Sequence, residues 1–220
     1  MPFVAGPPDI LEYERGFWQR GFTRVAGVDE VGRGPIAGPV VAAAVILAEG
    51  VAIEGATDSK ALTPARRTEI AGEIHARAAA VALGAASARE IDRVNILRAT
   101  ALAMNRALER LPAPPDHVVV DGLPVRDLAW KHEAVVGGDA IVHSIACASI
   151  VAKVCRDRLM GRLAARYPGY GWARNMGYAT RGHRRAVREG GLTPHHRTTF
   201  GLMQLELGLG EGAGDGGTSR

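Results

Sequence analysis

The sequence predicts an α/β fold in which one mixed, five-stranded sheet is flanked by helices and followed by a helical C-terminal segment. Three observations carry that expectation. Strand-like apolar runs cluster early in the chain, then alternate with helical stretches. Two of the later runs end the same way, in an acid beside glycine. The 220 residues, 47% hydrophobic and 23% charged, have ordinary globular usage and suffice for one core.

Taken in order, Asp9 to Arg20 has helical spacing, with Ile10, Leu11, Tyr13, Phe17 and Trp18 as its apolar face. Thr23 to Val31 follows as a first strand. Gly38 to Leu47 is a second, apolar enough to be buried on both faces, and Ala80 to Ala86 is a weaker third. Between these last two, Thr63-Pro64 starts a helix, threonine as cap and proline in the first turn, running to about Ala78. Asn95 to Leu111 is helical until Pro112, Pro114 and Pro115 stop it. His117 to Asp121 is a strand with a carboxylate at its C-terminal edge. Glu133 to Asp139 repeats the device, with Gly137-Gly138 before the acid, and leads to a long helix from about Ile141 to Arg166. Thr180 to Glu189 suggests a last helix. Three segments result: a helical extension over 1–24, a main α/β domain over 25–205 that includes a basic C-terminal segment, and a Gly-rich tail over 206–220 expected to be disordered.

Several classes drop out. No apolar run approaches the roughly 20 residues of a membrane span, and Gly34 to Ala48 is interrupted by Pro35 and Pro39. Met1 to Ile10 lacks the pattern of a secretory signal, so a cytoplasmic, monomeric protein with no membrane partner is expected. Cys147 and Cys155 lie eight residues apart on one helix, roughly 12 Å along its axis, too far to bridge. The net charge of +4 conceals an asymmetry: Lys153 to Thr198 holds eleven Lys or Arg against Asp157 and Glu189, a net of +9, leaving about −5 elsewhere. Such a basic third suits a polyanion.

The acids carry the chemistry. Asp29, Glu30, Asp121 and Asp139 all fall at strand ends, which in α/β sheets line the ligand crevice. A single acid there also serves as a helix cap or turn former. All three strand ends being acidic points further, because clustered carboxylates repel and need a hard divalent cation, Mg²⁺ or Mn²⁺. No His/Cys set favours zinc. Two such ions suit in-line phosphodiester hydrolysis. Neighbouring side chains of a regular strand point to opposite faces, so Asp29 and Glu30 require the strand to bend or end near Gly32 to share a metal. Which ion each acid would hold stays open. A dinucleotide-binding turn at Gly32-Arg33-Gly34 fails, since the third glycine is missing and the acids precede the turn.

The run from Ala26 through Asp29-Glu30-Val31-Gly32-Arg33-Gly34-Pro35 to Val40 resembles the opening signature of the ribonuclease HII family. Further blocks follow in that family's order: Thr57 to Leu62, Ile91 to Leu97, Val120 to Gly122, Val136 to Asp139, Ala148 to Val154, Gly177-Tyr178, His195 to Arg197 and Phe200-Gly201. The resemblance implies a ribonuclease H-like fold and endonucleolytic cleavage of the RNA strand of RNA–DNA hybrids. It also implies incision 5′ of single ribonucleotides in duplex DNA, leaving 5′-phosphate and 3′-hydroxyl ends. It makes Asp29, Glu30, Asp121 and Asp139 the metal-holding acids, and Gly32, Arg33, Gly34 and Tyr178 the reader of the ribonucleotide junction. Lys60, Lys153 and Arg197 become candidate phosphate contacts. The chain departs from the family at Ala140, Ile141, Ala146 and Met176, where serine or basic residues are common. The related type III enzymes carry a sizeable extra N-terminal domain, for which the residues before the first strand are too few.

Overall fold

A computed structural model describes residues 9–57, 59 and 61–200. The candidate phosphate contact Lys60 and the Gly-rich tail lie outside those residues. Strands β1 (Val25–Val31), β2 (Val40–Ile46), β3 (Ala80–Ala86), β4 (His117–Asp121) and β5 (Glu133–Val135) form one sheet in the order β3-β2-β1-β4-β5. The β1–β2 and β2–β3 pairs are antiparallel, and β1, β4 and β5 run parallel. The sheet is therefore mixed and five-stranded, as the apolar runs predict.

Helices cover both faces. On one, α4 (Ile96–Glu109) buries Ala99, Ala103, Met104, Ala107 and Leu108 against Ala26, Val28, Ala42 and Ala44. On the other, α2 (Pro64–Arg77) and the long α5 (His143–Arg166) pack on Ala43 and Val45. The alternation along β1 and β2 thus feeds two cores, which is why β2 is buried at every position.

Glycine sets how closely helix meets sheet at two points. A Cβ on Gly27 would lie 2.4 Å from the Ile145 nitrogen, and one on Gly84 would lie 2.0 Å from the Ala103 carbonyl. The first approach draws α5 onto β1 two residues before Asp29. Thr63 caps α2 by accepting from Arg66 N, and Asn95 caps α4 by accepting from Leu97 N and Arg98 N.

The structure adds two helices that periodicity did not reveal. Helix α3 (Ala88–Val94) carries a capping box, Ser87 with Glu90, a sequence signal that was there to be read. Helix α6 (Trp172–Asn175) is a single turn before α7 (Arg181–Gly190). The N-terminal helix α1 (Glu12–Trp18) is built into the fold: Glu14 Oε1 accepts from Ser144 N and Oγ, at 2.7 and 2.8 Å, and so caps α5 from another element. Phe17 joins the core formed by Val25, Val119 and Ile145.

Candidate active site

The parallel strands bring the acids together. The β1–β4 ladder pairs Val28 with Val120, and the next residue on each strand is Asp29 and Asp121. Asp121 pairs in turn with Val135 of β5. After β5 the chain turns at Gly137, whose φ of +68° favours glycine, into a 3-10 turn (Gly138–Ala140) that carries Asp139. Gly138 N donates to Asp121 Oδ1 at 2.7 Å, so the turn bearing the fourth acid is tied to the third.

Of the two alternatives expected, the strand ends beside Gly32 rather than bending at the first two acids. Strand β1 continues through Val31, and Asp29 and Glu30 point to opposite faces as strand geometry dictates. Asp29 faces α5, within hydrogen-bonding reach of Ser149, which also bonds Ser59 at 3.0 Å. Glu30 faces a crevice of about 630 Å³ lined by Asp121, Arg33, Asn95, Leu97 and Leu123. Asp121 sits where its charge reaches both. Asp139 is half-buried and borders a separate hollow beside Tyr13, Thr57 and His143.

Burial and mutual repulsion dominate the electrostatics. The Asp29 carboxyl is pushed up to about 8, first by burial and then by the charge of Glu30, with Ser149 pulling it down and Asp121 raising it further. Burial raises Glu30 also, against Arg33, whose guanidinium lies 3.2 Å away. As the side chains stand, no three His, Cys, Asp or Glu among the described residues form a group that could hold a metal ion. The donor chemistry nevertheless fits a hard divalent cation: oxygen ligands only, and a buried carboxyl whose charge is only partly compensated, by Ser149 and Glu30 N.

Beside the acids runs the loop from Gly32 to Pro39, held from beneath by two buried arginines. Arg156 of α5, 1% exposed, donates to the carbonyls of Pro39, Met176 and Ala37. Arg197, 0% exposed, donates to those of Gly32, Arg33 and Gly38. The direct phosphate contact expected of Arg197 does not fit this place; burial, then the neighbouring Arg156, lowers its pKa to about 9, and its donors are spent on backbone. Gly32, at φ +97°, has no room for a side chain, because a Cβ would meet Arg156 Nε at 2.1 Å. Lys153 is also engaged, with Asp157 at 2.6 Å, and would have to leave that ion pair to meet a phosphate.

Tyr178 does not belong to the core. Its side chain is 52% exposed, and a Cβ on Gly34 would sit 3.5 Å from its ring, so loop and ring form two sides of one notch. Gly177 makes this possible: its carbonyl accepts from Ile36 N and Ala37 N, and a Cβ there would clash with the Ala37 carbonyl at 2.3 Å. Sequence reasoning passed over Ser149, Arg156 and His183 as working residues. The signal for Arg156 was a lone cation between Ala152 and Met160 on the buried face of an otherwise apolar helical stripe.

The ribonuclease HII family model matches residues 26–203. Among curated relatives, a ribonuclease HII of Thermosynechococcus vestitus is 53% identical over 195 residues, spanning 88% of this chain and 91% of its own. One of Cereibacter sphaeroides is 55% identical over 189 residues, 86% and 89% of the two chains. Among solved structures, ribonuclease H2 of Pyrococcus horikoshii superposes with a TM-score of 0.73 at 28% identity, covering 83% of this chain and 96% of that one.

Proposed function

The chain belongs to the ribonuclease HII family, enzymes that cut the RNA strand of RNA–DNA hybrids, and we propose that it incises 5′ of single ribonucleotides embedded in duplex DNA. The observation that carries this is the placement of three acids at neighbouring strand ends directly beside the Gly32–Gly34 loop and Tyr178.

In this reading Asp29, Glu30, Asp121 and Asp139 hold two Mg²⁺ or Mn²⁺ ions. Bound there, the ions would activate water and offset charge on the scissile phosphate and the departing 3′ oxygen, giving 5′-phosphate and 3′-hydroxyl ends. The chain's own residues do the rest. Gly34 lets backbone approach a sugar closely, which is where a 2′-hydroxyl is told from hydrogen. Tyr178 offers an exposed ring for the next sugar or base to stack on. Arg33, half exposed and paired with Glu30, is placed to turn toward a phosphate when the acid finds another partner. Arg156 and Arg197 keep the loop rigid, so the notch is formed before substrate arrives. We place the enzyme in the cytoplasm as a monomer; among the described residues no helix is long and apolar enough to cross a membrane.

A gel assay tests this, using labelled duplex DNA with one ribonucleotide, in Mg²⁺, Mn²⁺ or EDTA, beside an all-DNA control. Metal-dependent cutting only 5′ of the ribonucleotide is expected. Cutting of long hybrid but not of this duplex would leave the family activity and remove the junction reading.

A further inference from the structure

A buried pair of histidines lies behind Tyr178, and its hydrogen bonds fix its protons. His183 of α7 is 0% exposed and His196 2%. Thr193 N donates to His196 Nδ1 at 2.9 Å, so the proton of neutral His196 is on Nε2. That nitrogen lies 3.0 Å from His183 Nε2, which also accepts from Trp172 Nε1 at 3.0 Å. With two donors aimed at its Nε2, His183 keeps its proton on Nδ1 and donates it to the Tyr178 carbonyl at 2.9 Å. The same carbonyl accepts from Thr180 N. An unbroken chain of donors thus runs from Thr193 through both rings to the backbone of the exposed tyrosine.

Resting on the junction reading above, we propose that His183 and His196 are positioning residues for Tyr178, holding its backbone so that the ring stays over Gly34. The arrangement works only with both rings neutral. A second proton on His183 would point at two existing donors, and one on His196 would point at Thr193 N–H. Among the described residues no acid acts on either ring to compensate. The groups packed around the pair are Tyr170, Trp172, His195 and the Thr193 hydroxyl, and buried Arg197 follows His196 in the chain. Burial lowers both histidines, His196 to about 4, with His183 itself contributing to the latter. Protonation would therefore break the chain and loosen Tyr178. Acidification should cost the enzyme its preference for single ribonucleotides before it costs cleavage of long hybrid.

The test is the ratio of kcat/KM on a single-ribonucleotide duplex to that on a long RNA–DNA hybrid, which cancels effects common to both substrates. His183→Ala should lower the ratio about fivefold, the worth of one hydrogen bond, while hybrid cleavage stays within twofold. His183→Asn, whose amide can still donate to the Tyr178 carbonyl, should restore most of it. In the wild-type enzyme the ratio should fall as pH drops from 6.5 toward 4, and in Tyr178→Ala it should be low and flat. An unchanged ratio in a folded His183→Ala, with Tyr178→Ala still lowering it, would overturn the positioning proposal and leave the junction reading intact. If Tyr178→Ala itself leaves the ratio unchanged, the junction reading falls and this inference with it. Should His183→Ala fail to fold, the wild-type pH profile decides, and a flat one overturns the proposal.

Discussion

The acid crevice and the loop beside it are built on opposite principles. Around Asp29 and Glu30 charges of one sign are buried near a third acid, met only by a serine, an arginine and the backbone N–H groups of Glu30 and Gly138. Around Gly32 to Pro39 the partners are abundant, two guanidiniums donating to the carbonyls of Gly32, Arg33, Ala37, Gly38 and Pro39. A cluster whose charges the protein leaves poorly compensated is prepared for something from outside. A loop whose carbonyls are met from within is prepared to stay still. On the function proposed above, the first would trade stability for chemistry and the second adaptability for selection.

Five changes break or sharpen that contrast. The largest effect is expected from Asp121→Asn: cleavage should fall by about three orders of magnitude or more while the unfolding midpoint holds or rises, because repulsion is relieved. EDTA on the unmodified enzyme should do the same to activity. Full cleavage by the variant would remove Asp121 from the metal site. Arg197→Met should act the other way round, costing about 3 kcal/mol in urea denaturation by stranding buried carbonyls. A loss of affinity for hybrid without loss of stability would return Arg197 to the role of phosphate contact.

Acid should weaken the loop's seat before it weakens the sheet. With folded values below the ordinary 6.5, His183 and His196 contribute stability that is complete above that pH. It is lost as pH falls from 6.5 toward 4, which hydrogen exchange at α7 would detect as earlier opening than in β1. Uniform opening of both would mean that the pair is not the weak point. The smallest effect belongs to Lys153→Ala, which removes a partly exposed ion pair with Asp157 and should cost about 0.5 kcal/mol in thermal unfolding. A large loss of hybrid affinity at unchanged stability would show that Lys153 leaves Asp157 for the substrate.

Much of this was legible in one dimension, because it depends on local pattern. The boundaries of β3 and β4, the Thr63 cap with Pro64 and the apolar stripe of α4 follow from propensity and period. The acids closing β1 and β4 followed from the same pattern, and ordered blocks of residues carried the family, whereas Asp139 lies past β5 on a 3-10 turn. Alternation alone could not say that β1 runs past both of its acids, since what holds the strand extended is its pairing with β2 as far as Val31–Val41. Nor could a lone arginine near the C-terminus be told from a surface cation. Its burial depends on carbonyls 159 to 165 residues away in the chain.

The sequence by itself therefore determined which groups are present: carboxylates at strand ends, a glycine-rich turn and a tyrosine beside a glycine. Only the tertiary structure decided which cations face outward and which are spent inside, and which histidines are locked neutral. The physical reason is that a strand's period or a helix cap is set within a few residues, whereas burial and hydrogen-bond satisfaction are properties of groups the chain brings together from its two ends.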